Sequence, residues 1–208
     1  MLRMKVISFE GSIGAGKTIL TNFFSHEFKC QKVLEDFKAN PFLNRFYEQY
    51  GHQDVNFETE ISFLPIHYYQ IRKALDDKTS NLVFMDFSIE KDLVYAKMNL
   101  QGEKLAVFEN IYNYIISQIG FPDLVIYIEV SQRILKRRIF QRGRSYEMNA
   151  DLSYFEKFDK ANKSFFLKEA RSEVVSFNVD DLVLEPNDAK IIQIREAILQ
   201  KVKTGENE

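Results

Sequence analysis

The chain has 208 residues, 45% hydrophobic and 28% charged, enough for one globular domain with a sizeable core and short for two. Its formal net charge of −2 makes no electrostatic case for nucleic acid or a membrane as the main partner, so the expected partners are small molecules. A single cysteine, Cys30, excludes an internal disulfide, and with no leader-like start and no apolar run near ~20 residues the expected location is the cytoplasm.

Met4 to Phe9 reads as a buried β-strand, and behind it stands Gly11-Ser12-Ile13-Gly14-Ala15-Gly16-Lys17-Thr18, a complete GxxxxGK[ST] phosphate loop. In that spacing the glycines bring backbone N–H groups onto phosphate oxygens, Lys17 reaches the outer phosphates, and the Thr18 hydroxyl suits Mg²⁺. A helix from Lys17 to Phe28 adds its positive end at the same point. A nucleoside triphosphate is the expected ligand. Lys32 to Phe37 is the second predicted strand, and Glu35 at its end is placed to reach a substrate hydroxyl as general base, with an ordinary loop salt bridge as the competing reading. Helices are predicted over Pro41 to Tyr50 and Glu58 to Asp76. Leu82 to Asp86 then forms a third strand whose terminal Asp86 either holds a metal, directly or through water, or caps the next helix.

Further helices are predicted over Ile89 to Leu100, Lys104 to Ile119, Gln132 to Gln141, Leu152 to Ala170 and Asp188 to Lys203, with strands at Asp123 to Val130 and Glu173 to Val179 and a frayed tail over 204–208. This alternation predicts an α/β fold in one domain over 1–208: a P-loop NTPase-type, doubly wound, five-stranded parallel sheet flanked by helices, with ligands at the strands' carboxyl ends. Arg133, Lys136, Arg137, Arg138, Arg142 and Arg144 crowd one stretch. Arg138 and Arg142 share a helix face and Gly143 breaks the helix, so 138–151 reads as an Arg-rich lid over ATP, or else as a solvated helix face.

Phe9-Glu10 through Thr18, then Glu35, Asn40-Pro41-Phe42-Leu43 with Phe46-Tyr47, Asp86-Phe87-Ser88 and Arg142-Gly143-Arg144-Ser145-Tyr146-Glu147 together resemble the deoxyribonucleoside kinases, particularly the bacterial deoxyadenosine and deoxyguanosine kinase branch. The resemblance spans nearly the whole chain. It implies transfer of phosphate from ATP, with Mg²⁺, to the 5′-hydroxyl of a deoxynucleoside, and commonly a homodimer. It also implies roles: Glu35 as general base, Tyr47 and Glu147 on the sugar 3′-hydroxyl, and Arg138, Arg142 and Arg144 as the lid arginines that clamp phosphates. Glu60, or alternatively Glu58, falls where many members place a base-bonding Gln. His67 and Asp92 stand where related enzymes have an Arg and an Asp reading base edges, with Tyr95 in the same pocket. An Asp92 carboxylate accepts from an exocyclic amino group, which thymine lacks. The plainer readings are a core aromatic for Tyr47, a pair with Arg144 for Glu147, and a half-buried helix histidine for His67.

One position departs from the pattern. After the third strand the family usually carries an Arg that contacts the reacting phosphate region, and here Phe87 stands instead. Losing such a charge costs several kcal/mol of transition-state stabilisation. Lys91, one helical turn on, is the expected substitute. The rival functions are another small-molecule or nucleoside monophosphate kinase and a catalytically impaired nucleotide-binding protein.

Overall fold

The computed structural model describes residues 4–48, 55–77, 79–143 and 152–204. Its strands β1 (Lys5–Gly11), β2 (Gln31–Val33), β3 (Leu82–Met85), β4 (Leu124–Glu129) and β5 (Val174–Asn178) pair in parallel in the order β2-β3-β1-β4-β5. The helices are α1 (Lys17–Glu27), α2 (Leu43–Glu48), α3 (Asn56–Asp76), α4 (Glu90–Asn99), α5 (Gly102–Ile119), α6 (Gln132–Arg142), α7 (Leu152–Lys168) and α8 (Ala189–Lys203). The chain thus forms the expected doubly wound sheet. Because β1 is central and the chain departs from it to both sides, the crevice for a ligand opens at its carboxyl end.

Strand alternation explains the three layers. Val6, Val83 and Met85 face Leu64 and Ile71 of α3 and Phe108 and Ile115 of α5. The intervening Ile7, Phe9 and Phe84, with Leu124 and Ile126, face Leu20 and Phe24 of α1 and Ile191, Ile194 and Ile198 of α8. Phe9 and Phe24 stack at 5.7 Å and 12°, and burying each such ring is worth roughly 1.5–3 kcal/mol. Cys30 packs against this second layer, where burial pushes its thiol up to about 12, so it contributes bulk rather than nucleophilicity. Among the described residues no helix is long and apolar enough to cross a membrane.

The second strand is shorter than its residue pattern predicts, ending at Val33 rather than Phe37. Side chains take over the backbone there: Asp86 Oδ1 accepts the Glu35 N–H at 2.7 Å, and Gln70 Nε2 donates to the Leu34 carbonyl at 2.8 Å. Gln70 Oε1 also accepts the Asp36 N–H at 3.3 Å, and a 3₁₀ turn follows at Phe37–Ala39. Glu35 accordingly lies in a loop beyond the sheet, where its side chain is free of the strand's strict alternation.

Candidate active site

Strand β1 runs directly into the phosphate loop. At Gly11 the backbone has φ 145° and a Cβ would lie 2.5 Å from the Ile128 carbonyl oxygen, so only glycine lets β1 and β4 approach this closely. Gly16, at φ 103°, turns the chain into α1. Lys17 Nζ donates to the Gly11 and Ser12 carbonyls at 2.9 and 3.0 Å, and Arg138 of α6 donates to the Ala15 carbonyl at 2.9 Å. Ser12, Ile13 and Gly14 complete the loop, and Arg138 stands beside it. Arg142 closes α6, while Arg144 and Glu147 lie outside the described residues.

Asp86 anchors the whole site. Its Oδ2 accepts from the Thr18 hydroxyl and its Oδ1 from the Glu35 N–H, so one carboxylate ties the phosphate loop to the Glu35 loop. A hydroxyl and a carboxylate are hard oxygen donors of the kind Mg²⁺ takes, and Mg²⁺ completes its shell with phosphate oxygens and water. The described residues hold no group of three or more His, Cys, Asp or Glu suited to a metal.

Beyond Asp86, four charged groups converge. Lys91 Nζ lies 2.9 Å from Glu35 Oε1 and His67 Nε2 lies 3.3 Å from the same oxygen, while His67 Nδ1 meets Asp92 Oδ2 at 2.8 Å. Burial alone would raise the Glu35 carboxyl, but Lys91 and then His67 outweigh it and hold it well below the ordinary carboxylate range. The Lys91 ammonium is likewise disfavoured by burial, yet Glu35, Glu10 and Asp92 keep its pKa above the ordinary lysine value. Glu10, at the end of β1, accepts the Ser88 N–H at 2.6 Å and is pushed up by burial to about 7, with Lys91 and Lys17 restraining it.

Of these groups Glu35, Lys91 and Asp92 stand at one wall of a cavity of about 800 Å³, and the phosphate loop lines another part of it. Tyr47, Glu60, Asp92 and Tyr95 line it together with Glu35 and Lys91. Tyr47 packs among Phe46, Tyr154 and Phe155, and Tyr95 stacks on Phe158 at 4.2 Å. Glu60, rather than Glu58, is the carboxyl on the cavity. The expectation for His67 as a reader of base edges needs correction: the ring is fully buried, does not line the cavity, bonds Asp92 through Nδ1 and turns Nε2 toward Glu35. Sequence reading missed Asn99, whose Nδ2 lies 2.8 Å from Glu60 Oε1 and 3.1 Å from the Tyr154 hydroxyl. The signal was present, since Asp92, Tyr95 and Asn99 share a face at helical spacing.

Burial pushes the Glu60 carboxyl up to about 8, the Asn99 bond opposing it and Asp92 adding to it. At neutral pH Glu60 is thus an uncharged acid with one hydrogen to donate. Because its folded value exceeds the ordinary 4.5, the native state keeps a proton that the unfolded chain loses, and stability falls as pH rises from about 4.5 to about 8. Glu60→Gln is expected to gain on the order of 1–3 kcal/mol over wild type between about pH 5 and about pH 8, read from urea unfolding at both. A difference that ignores pH would mean that Glu60 ionises normally.

The family model for deoxynucleoside kinases matches residues 7–203. The chain belongs to the deoxynucleoside kinase family. It is 32% identical over 88% of its length to the deoxyguanosine kinase of Bacillus subtilis, covering 91% of that protein. With the deoxyadenosine kinase of Lactobacillus acidophilus it shares 28% identity, over 92% of this chain and 98% of the other. In fold it is similar to the solved deoxyadenosine kinase from M. mycoides, with a TM-score of 0.76 at 22% identity over 96% of this chain and 99% of that one. This deoxynucleoside kinase is therefore a phosphotransferase that uses ATP.

Proposed function

We propose that this deoxynucleoside kinase transfers the ATP γ-phosphate, with Mg²⁺, to the 5′-hydroxyl of a purine deoxynucleoside, with Glu35 as the general base. The observation that carries the reading is the double use of Asp86, which binds Thr18 with one oxygen and the Glu35 backbone with the other and so couples the nucleotide end of the cavity to the acceptor end. Phosphoryl transfer is mostly positioning and electrostatics, so a carboxylate held at low basicity serves well: it orients the hydroxyl and takes its proton late. Thr18 and Asp86 would hold Mg²⁺, which when bound neutralises charge on the phosphates. Lys17, Arg138 and Arg142 offer positive charge to those phosphates, Arg144 extends the clamp, and Lys91 supplies it beside the acceptor oxygen. Tyr47 and Glu147 hold the sugar 3′-hydroxyl.

The purine assignment is supported by the relatives, which are deoxyguanosine and deoxyadenosine kinases, and by Glu60 and Asp92, which present a donor and an acceptor to a base edge. A monophosphate acceptor is disfavoured, because Glu35 and Asp92 would repel its phosphate. ADP release from ATP should be measured against deoxynucleosides, ribonucleosides and their monophosphates. Purine deoxynucleosides are expected to exceed thymidine by at least about 10-fold in kcat/KM. Turnover on a monophosphate alone would assign the chain to the other kinase class, and ATP binding without turnover would leave a nucleotide-binding protein.

Exposed Val107, Ile111 and Tyr114 form an apolar stripe on α5 that suits a homodimer, and the unpaired cysteine suits the cytoplasm.

A further inference from the structure

The His67 ring is fully buried, and each nitrogen faces a carboxylate. Nδ1 lies 3.0 and 2.8 Å from the two Asp92 oxygens, and Nε2 lies 3.3 Å from Glu35 Oε1 without the alignment of a full hydrogen bond. A neutral imidazole would turn a lone pair toward one of those carboxylates, whereas the imidazolium presents an N–H to both. Its faces are covered as well. Phe63 stacks at 5.2 Å and 27°, and Phe87 at 4.5 Å and 30°, and an aromatic face attracts a cation. Phe87, which sits where an arginine was expected, is thus half of a sleeve around a second cation.

Building on the kinase reading, we propose that His67, locked by Asp92 and sleeved by Phe63 and Phe87, is a positioning residue that fixes the Glu35 carboxylate. Both cations hold Oε1: Lys91 Nζ at 2.9 Å on a flexible stem, and His67 Nε2 on a ring that cannot turn. Oε2 has no hydrogen-bond partner among the described residues and is left for the substrate hydroxyl. Asp92 consequently acts through His67 as well as on the cavity.

The charged groups around the ring are Glu35 from the loop after β2 and Lys91 and Asp92 from α4. Glu60 on its own helix couples to Asp92, and Glu10 of β1 couples to Lys91. Burial disfavours the imidazolium, but Asp92 and Glu35 more than offset it and carry its pKa to about 9. Glu10, raised to about 7, and Glu60, raised to about 8, titrate in the same range as the ring, so the informative quantity is the difference between wild type and variant.

The test combines kinetics on the full chain with NMR titration of ¹⁵N-labelled histidine, the His67 signal being assigned as the one that survives in both His26→Gln and His52→Gln. His67→Gln is expected to lower kcat by about 10- to 100-fold with both KM values nearly unchanged, the cost of a carboxylate about 1 Å out of place. It should also remove an alkaline fall in kcat whose midpoint matches the His67 titration in wild type. A raised deoxynucleoside KM with unchanged kcat would return His67 to reading the base and overturn the proposal, as would a ring found neutral at about pH 7. Should His67→Gln fail to fold, Asp92→Asn provides the kinetic arm: a lower His67 midpoint together with lower kcat supports the proposal, and unchanged kcat overturns it. A wild-type chain inert on every deoxynucleoside would refute the kinase reading instead, and the titration would still report whether the cation is there.

Discussion

Glu35→Gln is expected to lower kcat for deoxynucleoside phosphorylation by about 10²–10⁴-fold while ATP still binds. The substitution keeps the shape of the side chain and its backbone bond to Asp86, but removes the charge that Lys91 and His67 surround. An amide has one acceptor and two donors, so it turns either its oxygen or its NH₂ to those cations and has no capacity to take a proton from a 5′-hydroxyl. The loss should fall on kcat more than on the KM for ATP, because the phosphate loop is untouched. Two buried cations also lose part of their counter-charge, so the variant should melt at a lower temperature, and rates need scaling to the folded fraction. ADP release under single-turnover conditions, with ATP affinity measured separately by calorimetry, checks the expectation. Turnover within about 10-fold of wild type would remove Glu35 from the chemistry.

Lys91→Met is the second large effect, expected at about 10²–10³-fold in kcat, the usual cost of deleting one preorganised donor from a reacting centre. Methionine fills the same buried volume without a charge, and Lys91 is only 5% exposed, so solvent would supply little in its place. The ammonium sits 2.9 Å from Glu35 and is also coupled to Glu10 and Lys17, at the junction of acceptor and phosphate sites. Removing it should push the Glu10 carboxyl above its value of about 7, since Lys91 is the largest influence restraining it. Near-normal turnover would show that Lys91 does not stand in for the absent arginine at Phe87.

Phe87 shows where sequence reading stops. Beside the family pattern it is a missing charge, and its own chemistry says only that it is large and apolar. Folded, it lies at 4.5 Å on an imidazole ring, and the positive charge near Glu35 comes from Lys91 and His67. His67 is similar: a helix histidine with no periodic signal of its own becomes the bridge between Glu35 and Asp92 because α3, α4 and the loop after β2 meet there. Asn99 could have been found from helical spacing, but its partner Tyr154 is 55 residues away. The early end of β2 was invisible for the same reason, since propensity ignores a distant Gln70 or Asp86 offering to replace a ladder bond.

The phosphate loop, the five strands and their alternation with helices were legible in the bare chain, because loop spacing and periodicity are local properties that neighbouring residues impose on one another. The direction in which each charged side chain points, and so whether it meets solvent, substrate or another charge, was settled only when elements distant in sequence closed on each other. Burial then made every charge in the cavity wall depend on partners from other elements, and Glu35 owes its low basicity to two cations that lie 32 and 56 residues further along the chain.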